Sequence, residues 1–215
     1  ESGSRKIRIA TFFGPTPENY QFKKINGKYA WRRREADQAF VCEFLKCPTD
    51  NCKGELIWKD VDLDNRIERL VCTECDKEIG SDEIILTRER MKNECPDILF
   101  TTTEILNQRL GDNRYNHLFG VGQQESQSVQ SLLLDEVHTY TGQTGAQTAY
   151  LIKRWRRMIG SRKSVSFVGL SATLKNGLQF MEQLTGVPEY FISEVSPSWD
   201  EMIEEGAEYA LALRG

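Results

Sequence analysis

LLLDEVHTYTG, residues 132–142, runs from an apolar stretch straight into two adjacent acids. Ser131 to Leu134 are apolar or small, and Asp135 and Glu136 follow with no spacer. An unpartnered buried carboxylate is costly. The acids therefore either stand at the open end of a strand, in solvent or capping the next helix, or they hold something positive. A second strand-like run, SVSFVGLSAT at 164–173, also ends on polar residues, Ser171 and Thr173. The stretch between has room for one helix, GQTGAQTAYLIKRWRRMIG, in which Ala149, Ile152, Trp155 and Ile159 recur at helical spacing. Strand, helix, strand predicts a parallel pairing. Ligands of such sheets sit beyond the carboxyl ends of the strands, where both acids fall.

Outward from this stretch the same alternation continues. KIRIATFFG at 6–14 reads as a strand, broken by the Gly and two prolines of GPTPEN. Residues 28–46 read as a helix with a mixed charged and aromatic surface. DILFTT at 97–102 reads as a short buried strand, and TEILNQRLG as a helix with Gly111 as its stop. Residues 111–130, rich in Gly, Asn, Gln and Ser, read as one long loop. Helices over 176–184 and 197–213 close the chain. The fold class expected is α/β, with a mostly parallel sheet covered on both faces.

One segment breaks the alternation. Cys47, Cys52, Cys72 and Cys75 form C-x4-C-x19-C-x2-C, with ELIW and RIERLV flanking the turn-rich DVDLDN between the pairs. Two cysteine pairs around a hairpin can present four thiolates to one Zn²⁺, and metal binding can stabilise a module too small to bury its own core. The alternatives are buried free thiols or disulfides, the latter disfavoured in a cytosolic chain. A four-sulfur shell leaves no open catalytic position, so the metal would be structural. Cys42 and Cys95 read as ordinary buried thiols, with Cys42 the reserve ligand.

Composition limits the function classes. The 215 residues carry 39% hydrophobic and 28% charged residues and a net charge of −4, which describes a globular chain and not a uniformly basic nucleic-acid binder. The basic runs WRRR at 31–34 and KRWRR at 153–157 read as solvated helix faces. No apolar run approaches the roughly 18–20 residues needed to cross a bilayer. ESGSRKIRIA lacks the apolar centre of a signal peptide, so the expected compartment is the cytoplasm, with no membrane partner.

DEVH at 135–138 resembles motif II of superfamily 2 DEAD/DEAH-like helicases, and SAT at 171–173 resembles their motif III. TTTEILNQRL at 101–110 is similar to motif Ib, which grips the DNA backbone. FFGPTPEN at 12–19 is similar to the stretch after motif Ia, with Pro15 where an acid is usual. The segment LLLDEVHTYTGQTGAQTAYLIKRWRR looks most like large bacterial helicases of phage-defence systems of the DISARM type and of DNA-modification-dependent restriction. The resemblance implies a RecA-like lobe, of the P-loop NTPase type, over residues 1–41 and 81–215, with a zinc-ribbon-like β-hairpin module inserted at 42–80. It implies ATP and Mg²⁺ as cofactors beside Zn²⁺. Asp135 would coordinate Mg²⁺, Glu136 would be the catalytic base, and His138 would couple the nucleotide to motif III. Ser171 and Thr173 would pass hydrolysis on as movement. Gly14, Thr16, Thr102, Thr103 and Glu104 would contact DNA. A second RecA-like lobe and other subunits of a defence complex are the expected partners.

Two features of the family are missing from this sequence. No G-x-x-x-x-G-K-[ST] occurs: Gly27 and Lys28 are followed by Tyr29. Only about 40 residues follow Thr173, too few for a second lobe. The chain therefore reads as part of a larger motor, inactive by itself. A non-catalytic zinc module that docks nucleic acid or a partner is the competing expectation. A metal-dependent nuclease built on Asp135 and Glu136 would need further acids or a lysine on neighbouring strands, and none is evident.

Overall fold

The computed structural model describes residues 5–21, 30–124, 128–160, 164–171 and 174–196. The helix expected over 197–213 lies outside them, as do Ala172 and Thr173. The chain divides into two units, Glu1–Leu132 with Lys153–Ser166, and Leu133–Ile152 with Phe167–Gly215.

In the first unit, strand β1 (Ile9–Phe12) is the centre of a three-stranded parallel sheet. Its Ala10 and Phe12 are buried, and the alternation puts every second side chain in the core. Sequence order continues through an antiparallel sheet made of β2 (Arg32–Arg34), β3 (Ala39–Lys46), β4 (Glu55–Lys59), β5 (Leu70–Cys72) and β6 (Glu78–Ile79), in that spatial order. A short helix α1 (Asp60–Asp64) joins β4 to β5. Then come β7 (Ile84–Ile85), helix α2 (Arg88–Met91), β8 (Ile98–Thr101) and helix α3 (Thr103–Arg109). Strands β7 and β8 flank β1, both parallel to it.

The helix expected over 28–46 is a correction: from Arg32 onward the segment is strand, β2 and β3 with a single 3-10 turn at Glu35–Asp37. Ala39, Phe40, Val41 and Cys42 are all buried, on both faces of the sheet. A strand covered on both sides shows no alternation, so its period cannot be told from a helix by pattern alone. The arginines of WRRR lie in β2, not on a helix face. Arg33 pairs with Asp60 through its two terminal nitrogens, and Arg34 with Glu55 at 3.0 Å. The expected hairpin exists as β4–β5, but as the middle of a five-stranded sheet, with a helical turn where DVDLDN read as an open turn.

Three smaller expectations also change. β8 is not buried: Ile98 and Phe100 are 46% and 53% exposed. α3 ends at Arg109 with Leu110 as its cap, and Gly111 is not in the left-handed region, so the helix stops without the expected glycine cap. The long loop is partly folded, with a 3-10 turn at Asn116–Phe119 and buried Tyr115, Leu118 and Phe119. Tyr115 packs on Phe12 with ring centroids 5.0 Å apart. Its own spacing of aromatic residues anchors that loop, while its polar composition hid them.

Strands β9 (Ser131–Leu134) and β10 (Ser166–Gly169) form a separate two-stranded sheet, with helix α4 (Gly142–Ile159) between them in sequence. Ser166 N donates to Gln130 O and Leu170 N to Leu134 O, both at 2.9 Å, advancing together along the two strands as parallel partners do. On α4, Thr148, Leu151, Ile152, Trp155 and Ile159 are buried, the face that its periodicity predicts. Helix α5 (Gly177–Thr185) follows, buried through Met181, Leu184 and Thr185. The expected α/β class with parallel pairing stands, divided between two small sheets.

Candidate functional site

Where β9 ends, the chain turns sharply. Asp135 leaves the strand, its Oδ1 accepting from Glu136 N at 3.0 Å. Glu136 is in the left-handed region, φ 48° and ψ 47°, and opens a 3-10 turn at Val137–Thr139. The turn is tied on both sides. Val137, 1% exposed, donates its N–H to Leu170 O at 3.0 Å. Thr139 returns to Glu136 O through its N–H at 2.9 Å and its hydroxyl at 2.7 Å. The strand end is thereby pinned while both acids stay exposed.

His138 sits between the two polar strand ends. Its Nδ1 is 3.1 Å from Ser171 Oγ and 3.2 Å from Glu136 Oε2. One imidazole nitrogen therefore joins a carboxylate after β9 to a hydroxyl after β10, and when the ring is protonated the Glu136 contact becomes an ion pair. Thr173 lies outside the described residues. Tyr140 lies behind the turn, its phenol pushed above the usual range by burial and by the charge of Asp135. Gly145 is required beside it: a Cβ there would lie 2.3 Å from Tyr140 O. Gly169 on β10 is closely approached too: a Cβ there would meet Met181 Sδ at 2.7 Å, which the flexible Met181 side chain would have to move to accommodate, and Val137 at 3.4 Å. These two glycines carried no sequence signal, because their constraint comes from partners brought up by the turn.

The four expected cysteines come together. Cys47, Cys52, Cys72 and Cys75 place their Sγ atoms within 4.8 Å of one another, with Cys47–Cys75 and Cys52–Cys72 each at 3.5 Å. Zinc–sulfur bonds of ~2.3 Å in a tetrahedron put sulfurs about 3.8 Å apart, so the donor set fits one zinc ion. Mutual clustering of all four argues against two separate disulfides. Gly54 N and Glu74 N point at Cys52 and Cys72 Sγ at 3.4 and 3.5 Å, orienting the sulfurs. Gly54 allows this approach, since its Cβ would lie 2.4 Å from Cys72 Sγ. Cys75 is drawn down to about 6 by the Thr49 hydroxyl, the Lys77 N–H and the neighbouring thiols. Cys52, despite the Gly54 N–H, is held up at about 12 by desolvation and the thiols beside it. Cys42 and Cys95 lie outside the cluster. Burial raises Cys42 to about 11 and raises Cys95 as well.

The expected nucleic-acid contacts divide by exposure. Gly14 is exposed, with nothing within 4 Å of a Cβ position. Thr16 is 4% exposed, and its hydroxyl donates to Thr11 O at 2.9 Å and accepts from Phe13 N at 3.1 Å, shaping the turn. Thr102 caps α3, accepting from Ile105 N at 3.2 Å, with Thr103 behind it. Glu104 accepts from Gln108 Nε2 at 3.0 Å. Arg154 reaches Asn107 on α3 by two bonds, to O at 3.0 Å and Oδ1 at 2.9 Å. A buried hub went unread in the sequence. Glu68, 2% exposed, accepts from Leu86 N at 2.7 Å, Thr87 N at 3.1 Å, Thr87 Oγ1 at 2.6 Å and Arg90 Nη1 at 3.0 Å.

Comparison with known proteins adds the lineage. The chain is 28% identical over 142 residues to an uncharacterized ATP-dependent helicase of Methanocaldococcus jannaschii, an alignment covering 66% of this chain and 17% of that protein. It is 28% identical over 172 residues to Druantia protein DruE of Escherichia coli, covering 76% of this chain and 9% of the other. The crystal structure of the helicase MrfA bound to DNA matches at 27% identity and a TM-score of 0.40, over 47% of this chain and 13% of that one. The chain thus spans less than a fifth of the length of these relatives. Residues 61–180, more than half of the chain, match the DEAD/DEAH box helicase family, and the chain belongs to that family.

Proposed function

We propose that residues 135–138 are the hydrolytic centre of an ATP-dependent DNA helicase or translocase, working in the cytoplasm in bacterial anti-phage defence or restriction. The observation that carries this reading is His138 Nδ1 bridging Glu136 and Ser171, because it links the acid that would act on water to the end of a second strand. Mg²⁺, when bound with ATP, neutralises phosphate charge, and Asp135 is the residue that would hold it. Glu136, exposed beside it, would orient the attacking water and take its proton as the terminal phosphate leaves ADP. His138 would feel that proton directly through Nδ1 and shift its hydrogen bond with Ser171. Ser171 and Thr173 would then report the nucleotide state to the second RecA-like lobe.

Gly14, Thr16, Thr102, Thr103 and Glu104 are read as the DNA-backbone contacts by their resemblance to family motifs, with Thr16 acting through the turn it shapes. Such contacts position a strand without reading its sequence. Cys47, Cys52, Cys72 and Cys75 would hold a structural Zn²⁺ in a module over residues 42–80, set within a lobe of residues 1–41 and 81–215. The defence role, and further subunits of a defence complex, rest on the likeness of residues 132–157 to phage-defence helicases.

ATP hydrolysis by the intact protein, with and without DNA, tests this in the wild type against Glu136→Gln. The expected result is DNA-stimulated hydrolysis that falls about a hundredfold or more in the variant. Unchanged hydrolysis would remove Glu136 from the chemistry. The absence of a P-loop from this sequence favours, as a second reading, a non-catalytic module that docks nucleic acid or a partner; no hydrolysis in the wild type would select it.

A further inference from the structure

The loop after β1, residues 13–20, is clamped from two sides within the first unit. On one side is the antiparallel sheet. Trp31, 2% exposed, donates its indole N–H to Pro15 O at 3.1 Å. The Phe13 ring meets Phe44 edge-on at 4.7 Å, and Tyr20 meets Trp58 at 5.9 Å. Trp31 and Trp58 share one buried cluster with Cys47 and Cys72, so the wall that grips the loop is continuous with the cysteine site.

On the other side is α2. Arg88 Nη2 donates to Phe13 O at 2.9 Å and Gly14 O at 3.1 Å. Arg88 N and Glu89 N donate to Pro17 O and Glu18 O, each at 2.9 Å. Lys92 closes the far end on Glu18 at 3.0 Å. The two jaws are not independent. Glu68, two residues before β5, binds Leu86 N, Thr87 and Arg90, so the strand that carries Cys72 also fixes the start of α2.

We propose that the four-cysteine module is a positioning wall that presents the Gly14 loop to a nucleic-acid backbone, with Trp31 and Arg88 as its positioning residues. This rests on reading Gly14 as a DNA contact. The clamp turns the carbonyls of Phe13 and Gly14 towards Arg88. The bound guanidinium offsets the negative potential of those oxygens towards an approaching phosphate. It also leaves the Gly14 Cα face open. Ordering the loop before DNA arrives removes an entropic cost that binding would otherwise carry. The module therefore acts on DNA affinity and not on hydrolysis.

The test uses the intact protein, a fluorescein-labelled single-stranded DNA oligonucleotide, and hydrogen–deuterium exchange. Trp31→Phe keeps the ring and deletes the N–H. Arg88→Gln removes the charged donor, and Arg88→Lys keeps a charge that can reach one carbonyl. Expected are faster exchange in the peptide covering residues 12–20 and about a tenfold rise in the oligonucleotide concentration giving half-maximal ATP hydrolysis, the scale of one lost hydrogen bond. The maximal rate is expected to stay unchanged, Arg88→Lys to recover part of the loss, and zinc removal by chelation to reproduce the exchange result. Exchange that ignores zinc, or a fall in maximal rate at unchanged half-saturation, would overturn the proposal. Gly14→Asp checks the underlying reading separately, since it places a carboxylate at the open position and leaves the clamp intact. Unchanged DNA affinity there would remove the DNA contact, and the proposal with it, even if the loop still answered to zinc.

Discussion

Glu136 in the left-handed region is a non-glycine residue in a conformation that costs about 1 kcal/mol or more, held by Thr139 from one side and by Val137 on Leu170 from the other. The strain throws the carboxylate clear of the strand. Gly145 supports the same turn one helical turn later, and it allows a prediction whose sign is diagnostic. Glycine to alanine inside a helix ordinarily stabilises by up to ~1 kcal/mol. Here the new Cβ would lie 2.3 Å from a backbone oxygen that cannot give way. Gly145→Ala is expected to destabilise by about 1–3 kcal/mol, read as a lower denaturation midpoint. Cys42 supplies a pH prediction. Burial raises its thiol from 9.0 to about 11 in the folded state. The folded protein holds that proton more tightly than the unfolded chain does, so this contribution is complete below pH 9 and is lost as pH rises towards 11. Cys42→Ala is expected to flatten the alkaline fall in stability across that window, measured by denaturation at a series of pH values.

The five-stranded sheet carries the four clustered cysteines at its turns: Cys47 and Cys52 between β3 and β4, Cys72 at the end of β5, Cys75 in the turn to β6. A Zn²⁺ held by these four sulfurs would join the two connections, while Trp58, Leu56 and Leu70, all fully buried, fill the space between. Zinc chelation is therefore expected to lower the unfolding midpoint, and Cys72→Ser to lower it to the same value with or without chelator. A chelator effect that persists undiminished in Cys72→Ser would place the metal elsewhere. The cysteine spacing made this cluster readable in advance, because paired short separations around a hairpin bring four thiols together. The strands β2 and β3 were not readable, because β3 is covered on both faces and shows no alternation, and β2 is defined by its pairing with β3. The sheet overrode a composition that, taken alone, passes for a helix.

Ile98 and Phe100 on β8 are largely exposed; so, in the other unit, are Leu133, Val168 and Leu170 on and beside β9 and β10. Among the described residues no helix is long and apolar enough to cross a membrane. Because the sequence holds no P-loop and spans less than a fifth of its relatives, this chain produced alone is expected neither to bind ATP tightly nor to hydrolyse it. DNA-stimulated hydrolysis by the isolated chain would contradict this.

Local chemistry was legible in the order of residues. The apolar run into Asp135 and Glu136, the polar end after β10, the periodicity of α4 and the spacing of four cysteines all follow from neighbours within a few positions, where strand and helix periods act. What the folded chain alone decided depends on contacts between distant segments. These are the tie of Val137 to Leu170 that holds the turn at Glu136, the meeting of His138 with Ser171, the close approach of Met181 to Gly169, and the Glu68 hub between the cysteine sheet and α2. Such features arise only once a backbone carbonyl, a carboxylate or a ring from far along the chain is brought within hydrogen-bonding or van der Waals reach, and no separation along the sequence records that distance.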